Sequence, residues 1–354
     1  MKGIIATSIL TALFTVMLSA CENFAPNGTK GTGINDESAL PVPRELETIP
    51  QEFYSPAVRQ GTLVELYYDT YESRTYGQKT RRLQKRAIVY VPYGYSGEQK
   101  YNVFYLMHGG WGNETTTLGT PDRPSLLKNV IDNGIADGAF APLIIVCPTY
   151  NNESPEDSAN FSLALELNRN YHNELINDLI PAIESAYSTY AESASPEDIK
   201  ASRNHRGFGG FSMGSVATWR TFQYCLDYFR YFLPMSCGTS LDEENIFAAA
   251  RNRGQSDYFV WVITGTADFA YRYDENRVVK MRNSPYFIES NNTRNGNFAY
   301  HAKEGYAHNG TAAMEYTYNG LRRFWNTGTA NDPQTSAEGW INNAVRFWER
   351  HITG

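Results

Sequence analysis

The segment Gly210-Phe211-Ser212-Met213-Gly214 sets a serine between two glycines in the pattern G-x-S-x-G. A serine hydroxyl is a poor nucleophile until a base takes its proton. The pattern matters where a strand turns sharply into a helix: the flanking residues must be small, and the hydroxyl then projects at the carboxyl end of the sheet. The helix N-terminus behind it favours negative charge developing nearby. The run from His205 to Phe211 reads as a strand and the run from Met213 to Tyr228 as a helix. In that setting Ser212 is the expected nucleophile.

The base is found by elimination among six histidines. His108, His172 and His205 precede Ser212, whereas this kind of elbow is followed by its acid and then its histidine. His351 falls in a terminal amphipathic pattern. His301 lies inside a strand-like run and is expected to meet a structural partner. His308 follows that run in the loop Gly305-Tyr306-Ala307-His308-Asn309-Gly310, so it is the expected base. The acid should sit between them, on a loop after a strand. Asp268, in Gly265-Thr266-Ala267-Asp268, is the first carboxylate after the run Tyr258 to Thr264; Asp274 and Glu275 remain alternatives. A carboxylate there would hold the imidazole tautomer and stabilise the imidazolium. An oxyanion needs two preorganised N–H donors. The backbone N–H of Met213 is one. The loop His108-Gly109-Gly110-Trp111-Gly112 should supply the other from Gly110, with Trp111 as the alternative. Trp111 and Tyr306, near these motifs, are candidate substrate-binding rings, and Trp219 is expected in the core.

Apolar runs position these residues. Gly61 to Tyr68, Arg86 to Pro92, Tyr101 to Met107, Pro142 to Pro148, Tyr231 to Ser236 and Phe298 to Ala302 read as strands. Continuous apolar runs suit strands buried on both faces of a parallel sheet. Helical patterns alternate with them at Ser125 to Asn133, Tyr171 to Tyr187, Ala312 to Trp325 and Ala337 to Ile352. Pro181 predicts a kink or break in the second of these. The alternation predicts an α/β fold with a mainly parallel central sheet flanked by helices, as one catalytic domain over 49–354.

Composition narrows the class. The chain has 354 residues, 14% aromatic, with a formal charge of -7. That aromatic content argues against disorder, and the acidic balance against a nucleic-acid partner. Residues 1–20 read as a signal peptide, and no other stretch approaches the roughly 18 to 20 apolar residues of a membrane span. Leu18-Ser19-Ala20-Cys21 looks like a bacterial lipobox, which makes Cys21 the candidate for lipidation. Its acyl chains would be the protein's membrane contact. The expectation is an extracytoplasmic protein: a cell-surface or outer-membrane lipoprotein, or else a secreted one. Residues 21–48 have the composition of a flexible tether. Cys147, Cys225 and Cys237 are expected to remain thiols.

The stretch from Leu179 to Gly214, with HGGWG before it and GTAD and GYAH after it, resembles carbohydrate esterase family 1, the esterase D-like feruloyl esterases. The resemblance covers most of residues 49–325. It implies an α/β-hydrolase fold and a Ser212, Asp268, His308 triad with oxyanion donors at Met213 and Gly110. It implies no cofactor and no metal. It further implies a serine esterase acting on feruloyl groups of plant cell-wall arabinoxylan; acetylxylan hydrolysis, or acyl transfer by the same fold, is the alternative. One departure stands out. Relatives often carry His-Asp at the base, whereas this chain has His308-Asn309. The Ala337–Ile352 helix lies beyond the family's usual end.

Overall fold

The computed structural model describes residues 42–290 and 295–325. The expected signal peptide over 1–20, Cys21 and the expected helix at Ala337–Ile352 lie outside them. Among the described residues, eight strands form one sheet: β1 (Thr62–Tyr71), β2 (Arg82–Val91), β3 (Asn102–Met107), β4 (Leu143–Cys147), β5 (Arg206–Phe211), β6 (Tyr231–Met235), β7 (Phe259–Gly265) and β8 (Phe298–Lys303). Their spatial order is β1-β2-β4-β3-β5-β6-β7-β8. The pairs β1/β2 and β2/β4 are antiparallel. From β4 to β8 every neighbouring pair is parallel. The sheet is therefore mainly parallel, with an antiparallel edge.

Both faces are buried, which is why the strands read as unbroken apolar runs rather than alternating ones. Along β7, Val260 and Val262 enter one core cluster, with Trp219, Phe222 and Phe287. Phe259, Trp261 and Ile263 enter the other, with Phe104, Tyr316 and Phe324. The two clusters are the two faces of one sheet, sorted by the two-residue period of the strand. Cys147, Cys225 and Cys237 are all free and buried.

Helices cover those faces: α1 (Leu126–Ala136), α2 (Phe161–Asn170), α3 (Met213–Cys225), α4 (Glu243–Ala248), α5 (Tyr271–Arg282) and α6 (Gly310–Phe324). The helical pattern around Pro181 is not broken: helical backbone runs on from His172 to Ala186, and the irregularity is a change in hydrogen bonding. A π-helical turn over Leu175–Leu179 precedes the segment Ile180–Ala186, which carries Pro181 in its first turn. The residues before Pro181 are helical, so the wider turn just ahead of it is where the hydrogen-bond ladder absorbs the N–H that proline lacks.

The expected tether ends earlier than residue 48. Val42, Leu46 and Ile49 are buried in the second core cluster. Glu47 exchanges two hydrogen bonds with the Asn319 side chain of α6, at 2.9 and 2.8 Å. Its carboxylate pairs with Arg323 at 2.7 Å and also with Arg322. Residues 42–48 are thus part of the folded body.

Candidate active site

Ser212 stands between β5 and α3 with φ 60° and ψ -117°. A non-glycine residue in that region costs on the order of 1–3 kcal/mol and persists only where its surroundings enforce it. They do so here. The Ser212 N–H donates to the Met235 carbonyl at the end of β6, 2.9 Å away. The Ser212 carbonyl accepts from Ser215 and Val216 in the first turn of α3. The two motif glycines make the turn possible. A Cβ on Gly214 would stand 2.4 Å from the Met107 carbonyl oxygen, and one on Gly210 would stand 2.6 Å from Gly214. Heavy atoms cannot approach so closely, so G-x-S-x-G is a packing requirement at this turn.

The loops after β7 and β8 bring Asp268 and His308 together. The His308 Nδ1 lies 2.9 Å from both carboxylate oxygens of Asp268. The Asp268 side chain is fully buried. Its Oδ1 also accepts the Ala270 N–H at 2.8 Å. The two loops are laced to each other: Ala267 N–H donates to the Tyr306 carbonyl, and Gly305 N–H to the Thr266 hydroxyl. The His308 ring is flanked by Phe211, at 4.4 Å between centroids, and by Phe269, at 4.3 Å. Phe211 immediately precedes Ser212, so the imidazole stands beside the elbow. Among the described residues the Ser212 hydroxyl has no hydrogen-bond partner, and contacts of this kind often close only on the bound substrate. Asn309 answers the departure noted in the sequence. Its side chain caps α6 by accepting the Ala312 N–H at 3.0 Å, a role an aspartate would fill equally well.

The alternative acids have other work. Asp274 is buried in α5, where it accepts the Cys237 N–H at 3.0 Å and pairs with Arg277 at 2.7 Å. Burial pushes its carboxyl up to about 7, against the pull of Arg277. Glu275 accepts the Tyr300 hydroxyl. His301, as expected, is structural: Trp261 donates to its Nδ1, and its Nε2–H donates to the Pro43 carbonyl.

The loop after β3 lies against the elbow. A Cβ on Gly109 would be 3.4 Å from the Ser212 Cβ. Among the described residues, the N–H groups of Met213 and Gly110 have no hydrogen-bond partner, so both are free to donate. The alternative donor is corrected by the structure: the Trp111 N–H already donates to the Ser158 carbonyl at 3.0 Å. Trp111 instead holds φ 59° and is 80% exposed. Tyr306 is a less open ring than expected. It is half-buried beside α6, and its hydroxyl donates to Glu315 at 2.7 Å. Trp219 is buried in the core.

Sequence reasoning passed over His108, which fixes this loop. Its Nδ1–H donates to the Gly109 carbonyl, and its Nε2 accepts from the Thr149 hydroxyl, both at 2.7 Å. The ring stacks on Tyr150, whose hydroxyl also donates to Gly109. These bonds suit a neutral imidazole with its proton on Nδ1, and burial pushes its pKa down to about 4. The unfolded chain therefore binds more protons than the folded one between about pH 6.5 and 4. Stability from this residue is full above 6.5 and falls through that window, by about 3 kcal/mol in all. In urea titrations, the stability advantage of wild type over His108→Gln should shrink by roughly that amount between pH 7 and pH 4. An advantage independent of pH would contradict a neutral, buried His108.

The family described as Esterase matches residues 82–309. The chain is 37% identical over 284 residues to endo-1,4-beta-xylanase Y of Acetivibrio thermocellus, covering 78% of this chain and 24% of that protein. It is 28% identical over 216 residues to an endo-1,4-beta-xylanase/feruloyl esterase of Xylanibacter ruminicola, covering 59% and 26%. The chain thus spans about a quarter of the length of the curated relatives it matches. A serine-to-alanine variant of the feruloyl esterase module from Clostridium thermocellum, complexed with sinapinate, superposes with TM-score 0.68. It is 33% identical, with 83% of this chain and 97% of that one covered. A ferulic acid esterase from Anaeromyces mucronatus shares the fold at TM-score 0.56 and 19% identity, with 81% of this chain and 100% of that one covered.

Proposed function

We propose, for a chain that belongs to the Esterase family, has the α/β-hydrolase fold and is a carboxylic ester hydrolase, that it removes feruloyl groups from plant cell-wall xylan through Ser212, His308 and Asp268. The observation that carries the reading is the His308 Nδ1 held 2.9 Å from both oxygens of a buried Asp268, beside a serine at φ 60°. In this mechanism Ser212 Oγ attacks the ester carbonyl while His308 Nε2 takes its proton. Asp268 keeps the Nδ1–H tautomer and steadies the imidazolium. The N–H groups of Met213 and Gly110 receive the oxyanion; each such donor contributes about 10²–10³ in turnover. Collapse expels the alcohol, which takes its proton from His308. Water then attacks the acyl-enzyme by the same route and releases the acid.

The feruloyl preference is supported by the named activities of the relatives. The assay is release of ferulate and of acetate from feruloylated, acetylated arabinoxylan by the full chain. Ferulate is the expected product. Acetate alone would assign an acetylxylan esterase, and neither product would leave a general esterase.

The lipobox-like Leu18-Ser19-Ala20-Cys21 supports export and lipid anchoring, as does a substrate too large to enter a cell. Cys21→Ser should move the protein from the membrane fraction to the soluble one. Unchanged partitioning would reject the anchor.

A further inference from the structure

His308 must stand within hydrogen-bond reach of the leaving oxygen, because it protonates the departing alcohol. Whatever carbon framework hangs from that oxygen therefore lies against the surroundings of the imidazole. One side of the ring is closed by Phe211, which is partly buried and packs against the core. The other side carries Phe269, the residue directly after Asp268.

Phe269 has an unusual setting. It is 63% exposed, yet its ring lies 4.3 Å from His308 between centroids, tilted by 42°. It is also seated from below. A Cβ on Gly238, in the loop after β6, would come within 2.2 Å of the Phe269 Cε2, so only glycine admits the ring there. The backbone on either side is pinned, since Asp268 N–H bonds to the Gly265 carbonyl and Ala270 N–H to the Asp268 carboxylate. The outcome is a fixed aromatic face open to solvent at the leaving-group side of the site.

On the reading proposed above, the leaving alcohol is a sugar of a polysaccharide. One face of a pyranose or furanose ring presents mainly C–H groups, and the electron-rich face of an aromatic ring attracts them. From these positions we infer that Phe269 forms a leaving-group subsite that stacks the sugar ring carrying the ester oxygen. The acyl group plays no part in this contact. The subsite distinguishes esters by their alcohol, and it separates a sugar ester from a simple alkyl ester of the same acid.

The test compares kcat/KM for a feruloylated arabino-oligosaccharide with kcat/KM for methyl ferulate, which share an acyl group. Phe269→Ala should lower both, because the ring also packs on His308. The ratio of sugar ester to methyl ester should fall by about tenfold. Phe269→Leu keeps bulk beside His308 without an aromatic face, and should lose the ratio as well. Phe269→Trp should keep it near the wild-type value. Equal loss on both esters in the alanine and leucine variants would overturn the subsite and leave Phe269 as packing for His308 alone. Should wild type hydrolyse neither feruloyl ester, the feruloyl reading fails by itself. The same comparison on acetylated xylo-oligosaccharide against ethyl acetate then decides the subsite.

Discussion

Ser212→Ala is expected to lower kcat on a feruloyl ester by about 10⁵ to 10⁶, with the melting temperature nearly unchanged. The two halves of that expectation rest on different features. Among the described residues the Ser212 hydroxyl has no hydrogen-bond partner, so its removal leaves no buried group unsatisfied. The strained φ of 60° belongs to the backbone of the elbow and is as accessible to alanine as to serine. The bonds that enforce it, from Ser212 N–H to the Met235 carbonyl and from Ser215 to the Ser212 carbonyl, involve no side chain at residue 212. What disappears is the atom that forms the acyl-enzyme. The oxyanion donors at Met213 and Gly110 would remain, so catalysis would fall to what they supply and not to zero. A folded Ser212→Ala protein that kept more than about a hundredth of wild-type kcat would remove the serine from the mechanism.

The parts of this site that could be read from sequence are those set by short-range packing. Gly210 and Gly214 are needed because a side chain would strike Met107 or the neighbouring turn, and that demand leaves a fixed five-residue pattern. Asp268 and His308 follow strands β7 and β8 directly, and the carboxyl ends of parallel strands converge on one edge. Other parts depend on partners far away in the chain. Nothing near Glu47 announces Asn319, 272 positions on, so residues 42–48 read as tether. Helix α5 was hidden for another reason. Its buried side carries Asp274 and Arg277 beside Val278 and Met281, and a buried ion pair looks like a solvated face when only polarity is counted. Trp111 could not be excluded as an oxyanion donor until its N–H was seen bonded to Ser158, because no pattern within the HGGWG loop predicts that bond.

Asp268→Asn should cost about 10⁴ in kcat while leaving KM close to wild type. The reason lies in which atoms face the new amide. The carboxylate has two neighbours that donate: Ala270 N–H into Oδ1, and His308 Nδ1–H, 2.9 Å from both oxygens. An asparagine has one oxygen and one NH₂ group. Its oxygen must stay with the Ala270 N–H, since an NH₂ there would oppose another donor. The NH₂ then occupies the Oδ2 position facing Nδ1, which can accept it only by giving up its own proton. The imidazole proton moves to Nε2, the atom that should receive the serine proton, and the base is disabled with its ring still in place. Asp274→Asn is the matched control. Asp274 touches Cys237 and Arg277 and makes no hydrogen bond to His308, so its loss should lower stability, with buried Arg277 left to Glu243 and the Thr239 carbonyl, while the folded fraction keeps its turnover. If kcat collapsed in the Asp274 variant and survived in the Asp268 variant, the acid would have to be reassigned to α5. The reverse pattern, with the kcat loss confined to Asp268→Asn, would fix tautomer control as the function of the loop after β7.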